Sequence, residues 1–195
     1  LKVEKLKSIA VTYATNAASG WKATRETEGA EWKLADVKAG ENVDTNKLSA
    51  LGSPLSSPSF SDVVANPAAD KLGLDKPATL VLETFDGFTY TAKAGTASGD
   101  NYPFQIAVAA NFPKARTPGK DEKPEDKDKL DKDFAEAQKK LADKLAADGK
   151  FAKWTYLVSK YTLDSVLKSR TDLMAEKKEE PKPDALKPAV PPAAK

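Results

Sequence analysis

Residues 77–95 read PATLVLETFDGFTYTAKAG. Two runs rich in Thr, Val, Leu and aromatic side chains flank Asp86-Gly87. Asp-Gly favours a tight hairpin, because both residues tolerate the positive φ that a two-residue loop requires. That loop would set Phe85 opposite Phe88 and Glu83 opposite Tyr90. An antiparallel hairpin is therefore the seed from which the rest of the chain can be read.

Upstream, KSIAVTYAT places Ile9, Val11 and Tyr13 on alternate positions, the period of a strand. Trp21 and Ala23 alternate with charged neighbours, as do Trp32 and Leu34, with Gly20 and Gly29 as punctuation. Three antiparallel strands with one face on the core are expected here. At ENVDTNKLSALGSPL the period changes. Asp44 is placed to cap a helix and Val43 to pack back on it. Leu48 and Leu51 form its apolar stripe, Leu55 lies near its end, and Pro54 limits it. A second short helix is expected in SFSDVVANPAADKLG, burying Phe60, Val63 and Val64 and ending at Pro67.

Downstream, Tyr102, Phe104, Ile106, Val108, Ala110 and Phe112 alternate as one long strand, and Trp154, Tyr156 and Val158 resume the same period. Between them, TPGKDEKPEDKDK has nothing to bury and should be mobile. From Leu130 to Ala147 the residues Leu130, Phe134, Ala137, Leu141 and Leu145 share one helical face, and Asp148-Gly149 should end that helix. The two flanking strands should pair as an opened antiparallel hairpin. The cost is small, since closure entropy grows only logarithmically with loop length. YTLDSVLKSRTDLM should close the fold as a helix, with Leu163, Val166, Leu167 and Arg170 spaced for docking. The expected fold is α+β: an antiparallel sheet with helices packed on one face, and a helical insertion between the last two strands. Residues 1–174 form one domain in this reading, with 113–152 inserted. Residues 175–195, which hold five of the 13 prolines, form a disordered Pro/Ala/Lys-rich tail.

Among 195 residues there is neither cysteine nor histidine. Disulfides, thiolate nucleophiles, His-dependent triads and His- or Cys-ligated zinc are therefore excluded. The 31 basic and 29 acidic residues leave a formal net charge of +2. That balance makes no case for nucleic acid, whose binding needs a concentrated basic surface. No apolar run approaches the length of a membrane span. The start, LKVEKLKSI, lacks an initiator methionine and reads as that of an excised fragment, which leaves room for a targeting segment or anchor upstream of Leu1.

Carboxylates are the remaining acid–base groups. Asp86 and Asp100 lie in loops near strand ends, yet nothing in their spacing brings them together, and the turn already accounts for Asp86. Asp121, Glu122, Glu125, Asp126, Asp128, Asp131 and Asp133 supply many oxygens, but without the spacing or central glycine of a calcium loop. Interspersed lysines make a self-neutralising linker the plainer reading. Gly95 and Gly99 lead into a strand, whereas a phosphate cradle leads into a helix. Trp21, Trp32 and Trp154 have the basic neighbours Lys22, Lys33 and Lys153. Adjacent strand residues point to opposite faces, so the tryptophans are expected in the core and the lysines outside. No catalytic residue, cofactor site or metal site is expected.

The order of motifs resembles the bacterial domain-of-unknown-function family 4340. GAEWKLAD is similar to its strand around a tryptophan, and VDTNKLSALGSPLSSPSFSDVV to its helix. LGLDKPATLVLETFDGFTYTAKAG is the nearest match, with a Gly-Leu-x-x-Pro element, the Asp-Gly hairpin and a following glycine. WTYLVSKYTLDSVLKSRTDL resembles its closing strand and helix. The likeness runs over residues 3–174, with 113–152 standing where the family has a short turn. It implies an envelope protein on the extracytoplasmic side, anchored in the membrane and auxiliary to ABC-type transport or gliding-motility components. No catalytic residue comes with it. The expected function is a non-enzymatic interaction or scaffold domain with a protein partner. The alternatives are a peptide- or glycan-binding module using strand aromatics, and a carboxylate-dependent hydrolase.

Overall fold

The computed structural model describes residues 1–52, 54–65, 68, 70–119 and 122–175. Residues 176–195 of the expected tail, with Pro67 and Asp121, lie outside the described residues. The strands are β1 (Leu6–Tyr13), β2 (Trp21–Thr24), β3 (Lys33–Leu34), β4 (Phe60–Val64), β5 (Ala78–Thr84), β6 (Phe88–Ala94), β7 (Asn101–Ala110) and β8 (Thr155–Ser159). They form one sheet in the order β3-β2-β1-β5-β6-β7-β8-β4. Every neighbouring pair is antiparallel. The chain is an α+β fold whose helical insertion lies between β7 and β8.

One face of the sheet carries the core. Ala23, Ile9, Leu82, Tyr90 and Val108 stand in one cross-strand row, and Trp21, Val11, Leu80, Ala92 and Ile106 in the next. Ile9, Val11, Leu80, Leu82, Tyr90 and Ala92 are completely buried. The hairpin differs from the expected register by one residue. Its loop has three residues, Phe85, Asp86 and Gly87, so Leu82 faces Tyr90 and Glu83 faces Thr89. A one-residue slip would turn Leu82 to the face opposite Tyr90, so burial of both decides the register. Gly87 closes the turn at φ 87°. A Cβ there would sit 2.6 Å from the Asn111 carbonyl oxygen.

The helix expected around Phe60 is instead β4, the edge strand beside β8. A bulge between Phe60 and Asp62 sets Phe60 opposite Val158 and Val63 opposite Tyr156. The extra residue puts positions three apart on one side, which imitates helical spacing in the sequence. The Val63–Val64 pair suits a strand, since β-branched side chains are stiff at χ1. The same device operates in β1, where a register shift between Leu6 and Ser8 leaves Leu6 and Ile9 both buried.

Helix α1 (Thr45–Ser49) is capped as expected, with an Asp44 carboxylate oxygen accepting from the backbone N–H groups of Asn46 and Lys47. It is shorter than the sequence suggests, although Leu48, Leu51 and Leu55 are all buried. Helix α2 (Lys127–Gly149) is preceded by a 3-10 turn, Pro124–Asp126, and followed by another, Lys150–Lys153. Its apolar stripe divides. Leu141 and Leu145 pack against the core, while Leu130 is exposed.

The closing segment departs furthest from expectation. Helix α3 covers only Lys160–Leu163, and a 3-10 turn follows at Arg170–Leu173. Ser169 restarts the chain with a capping box, its hydroxyl accepting from the Asp172 N–H and the Asp172 carboxylate from the Ser169 N–H. The interruption frees the Lys168 carbonyl, which accepts from Tyr13 Oη at 2.9 Å and Trp21 Nε1 at 2.7 Å. Leu163, Val166 and Leu173 are completely buried all the same.

Candidate functional site

With the core, α2 and the closing segment on one face, the other face of the sheet is left to small and polar side chains. Lys22, Ala10, Val81, Thr91 and Ala107 form one cross-strand row, and Thr79, Lys93 and Gln105 another. Lys93, Ala107 and Ala109 are exposed, and Val81, Thr89 and Thr91 half-buried. Gln105 Nε2 donates to Thr155 Oγ1 at 2.9 Å, which extends the second row to β8.

Trp154 stands at the margin of this face. It was expected in the core with Trp21 and Trp32. Those two are buried, but Trp154 is 56% exposed. The cause is the way α2 returns to the sheet. The β7–β8 ladder ends at Phe104–Tyr156, and the 3-10 turn before it delivers Phe151 to the apolar side. The Phe151 ring lies 5.6 Å from that of Phe60 and 5.8 Å from that of Tyr156. Phe151, partly buried, thus packs against the core where the alternation assigned Trp154.

Two depressions adjoin on this face, and Trp154 borders one of them. One, of about 360 Å³, is bordered by Val64, Gln105, Lys153 and Trp154. The other, of about 220 Å³, is bordered by Thr91, Lys93, Gln105 and Ala107. Gln105 and Ala152 belong to both.

The candidate acids do not assemble. Asp86 and Asp100 sit at opposite ends of β6, Asp86 in the β5–β6 turn beside Lys5 Nζ at 3.2 Å and Asp100 in the β6–β7 loop. The acidic run has a partner that its sequence did not advertise. Arg116 reaches both carboxylate oxygens of Glu122, and its Nη2 donates to Asp131 at 2.8 Å. Lys127 donates to the other oxygen of Asp131 at 2.6 Å. The Arg116 hydrogen bonds hold Glu122 below the usual carboxylate range, and Lys127, then Arg116, does the same for Asp131. Among the described residues of this linker, Arg116 thus ties Glu122 to Asp131 of α2. Gly95 and Gly99 are packing and turn residues. A Cβ on Gly95 would lie 2.1 Å from the Leu72 carbonyl oxygen, and Gly99 has φ 56°. Lys22 and Lys33 point away from the core as expected.

A further depression, about 580 Å³, is bordered by Glu4, Lys5, Arg25, Glu28 and Ser56. Both of its carboxylates are exposed, and Glu4 pairs with Lys2 at 2.7 Å.

The buried polar groups serve docking. Tyr90 Oη donates to Asp148 Oδ2 at 2.8 Å, and Lys144 Nζ approaches the same oxygen at 2.7 Å while also donating to the Lys2 carbonyl. Burial, reinforced by Asp148, pushes the Tyr90 hydroxyl pKa up. Asp148 was expected only to end α2, and it instead ties α2 to the middle of the sheet. Arg170 clamps the loop after β3, donating to Glu41 at 2.7 Å and to the carbonyls of Ala35 and Asp36. That guanidinium, with the Lys38 backbone N–H, draws the Glu41 pKa down to about 2. No local pattern marks Asp148 or Arg116 as special, because their partners lie 58 residues away and across a loop, respectively.

No protein-family model, curated protein or solved structure matches the chain.

Proposed function

We propose that this chain is a non-enzymatic interaction domain of the cell envelope that presents the uncovered face of its sheet to a protein partner. The supporting observation is the segregation of that face. Thr91, Lys93, Gln105 and Ala107 lie across two central strands in a shallow relief, with the exposed Trp154 at the margin. Large exposed aromatics beside shallow polar relief are characteristic of recognition surfaces. The order of motifs that resembles family 4340 supports an extracytoplasmic position, an anchor outside residues 1–195 and a role beside membrane transport components.

The test is a photo-crosslinking amino acid placed in the full-length gene product in its native cells. At Ala107, on the open face, it should capture one discrete membrane-associated protein. At Lys139, on the outer side of α2, it should not. Equal labelling from both positions, or none from Ala107, would refute the assignment of this face. Protease access in spheroplasts checks the compartment separately, since an extracytoplasmic domain is digested before lysis.

A further inference from the structure

The paired depressions beside Trp154 have a chemistry more specific than a flat contact surface. We infer that they form a binding groove for an acidic saccharide, a short chain of uronic-acid or similarly carboxylated sugar rings. The inference goes beyond the protein-partner reading and does not depend on it.

Three features carry it. First, Trp154 leaves an indole surface open at the groove wall, although indole is among the largest apolar surfaces a side chain can bury. A sugar ring offers a flat C–H face that stacks on such a surface. Second, the groove floor bears fixed hydrogen-bonding groups. Lys93 and Gln105 are directly paired across β6 and β7. The Gln105 amide nitrogen is held by Thr155 Oγ1 at 2.9 Å, which leaves the amide oxygen to accept from a hydroxyl. Such an amide–hydroxyl pair, on strands rather than loops, is pre-organised for a polyhydroxylated ligand. Third, the charge is one-sided. In a chain of 31 basic and 29 acidic residues, the described residues bordering the two depressions include Lys93 and Lys153 and no carboxylate. Both lysines are exposed, and neither forms an ion pair among the described residues. They stand on either side of Gln105, so a sugar carboxylate can meet a cation while its ring lies on Trp154. A single-stranded nucleic acid would also stack, but two lysines supply too little charge to follow a phosphate backbone.

Calorimetric titration of the intact chain with tetragalacturonate, at low salt, is the test. A shallow open groove should give an affinity near millimolar. Trp154→Ala should weaken it by about tenfold or more. Lys93→Gln should weaken it several-fold and reduce its salt dependence, because one screened charge contact is removed. Tyr161→Ala, which removes an exposed aromatic elsewhere on the surface, should change nothing. Circular dichroism on each variant reports whether the sheet is intact. The inference is overturned by absence of tetragalacturonate binding with the sheet intact. It is equally overturned if neutral chitotetraose or a thymidine tetranucleotide binds as well as tetragalacturonate, or if affinity survives Trp154→Ala. Because Ala107 crosslinking reads a protein partner and this titration reads a sugar, either proposal can fail while the other stands.

Discussion

Helix α2 and the closing segment 160–175 both cover the core face, and they do so by opposite means. Helix α2 has 23 residues of regular helix, yet Leu141 and Leu145 are only partly buried and Leu130 faces solvent. A polar link from Asp148 to Tyr90 adds to its hold. The closing segment has a single turn of α-helix, yet it sinks Leu163, Val166 and Leu173 completely and returns the chain to β1, α1 and the loop after β3. The Leu173 carbonyl accepts from the Asp44 N–H, and Ala175 donates to the Asn42 carbonyl. Hydrogen bonds within a helix satisfy the backbone of that helix alone. Contribution to the domain follows instead from apolar area removed from water and from bonds between distant segments.

The widest separation between the two regions should appear on removing each. A chain ended at Ser159 loses three core side chains and the acceptor for Tyr13 and Trp21, and should show no cooperative thermal transition. Replacing residues 117–149 by Asn-Gly should leave a cooperative transition at lower temperature, with reduced helical ellipticity. If the second chain also fails to unfold cooperatively, α2 belongs to the core and the contrast collapses.

Single substitutions make the same comparison at finer scale. Leu163→Ala should cost about 3 kcal/mol, the usual loss for a fully buried leucine. Leu145→Ala on α2 should cost about 1 kcal/mol, because its side chain is only partly removed from water. Urea titration of both variants gives the ratio directly, and equal losses would show that α2 is held as tightly as the closing segment. Tyr90→Phe removes one hydrogen bond while Lys144 still faces Asp148, so about 1 kcal/mol is expected. Amide exchange in α2 should accelerate with it, while exchange in the closing segment should not.

The smallest effect in neutral solution is an acid one. Arg170 lowers the folded pKa of Glu41 from its ordinary 4.5 to about 2. In the unfolded chain Glu41 takes up its proton at the higher pH. The stabilisation is therefore complete above about 4.5 and is lost as pH falls toward 2. Urea midpoints measured across that window should fall less steeply for Arg170→Met than for the parent chain. An unchanged slope would mean that the clamp does not couple to folding.

Much of this contrast was hidden in local sequence. The amphipathic stripe of α2 was legible, since a helix writes its period into five consecutive turns. The closing segment carries the same spacing at Leu163, Val166, Leu167 and Arg170, but its helix breaks after Leu163. Beyond the break, the Lys168 carbonyl serves Tyr13 and Trp21 instead of a helical N–H. Phe60 and Val63 misled in the same way, since a bulge produces the three-residue spacing of a helix. At the candidate groove, the basic neighbours of the tryptophans were visible. Which of the three tryptophans remains outside was not.

By itself the sequence determined that imidazole and thiolate chemistry are closed to these residues, that alternating segments would pair antiparallel, and that a helix would stand between β7 and β8. It also marked Asp44 as a cap, because capping depends on neighbours two and three residues away. Each of these properties is local or compositional. Tertiary structure alone decided the hairpin register, where burial of Leu82 and Tyr90 on one face outweighs a two-residue turn. It decided that Arg116 joins Glu122 to Asp131 and that Asp148 reaches Tyr90. It also decided that Phe151 enters the core and leaves Trp154 on the surface. Both rings are apolar enough for either place, and only the direction from which α2 returns to the sheet separates them.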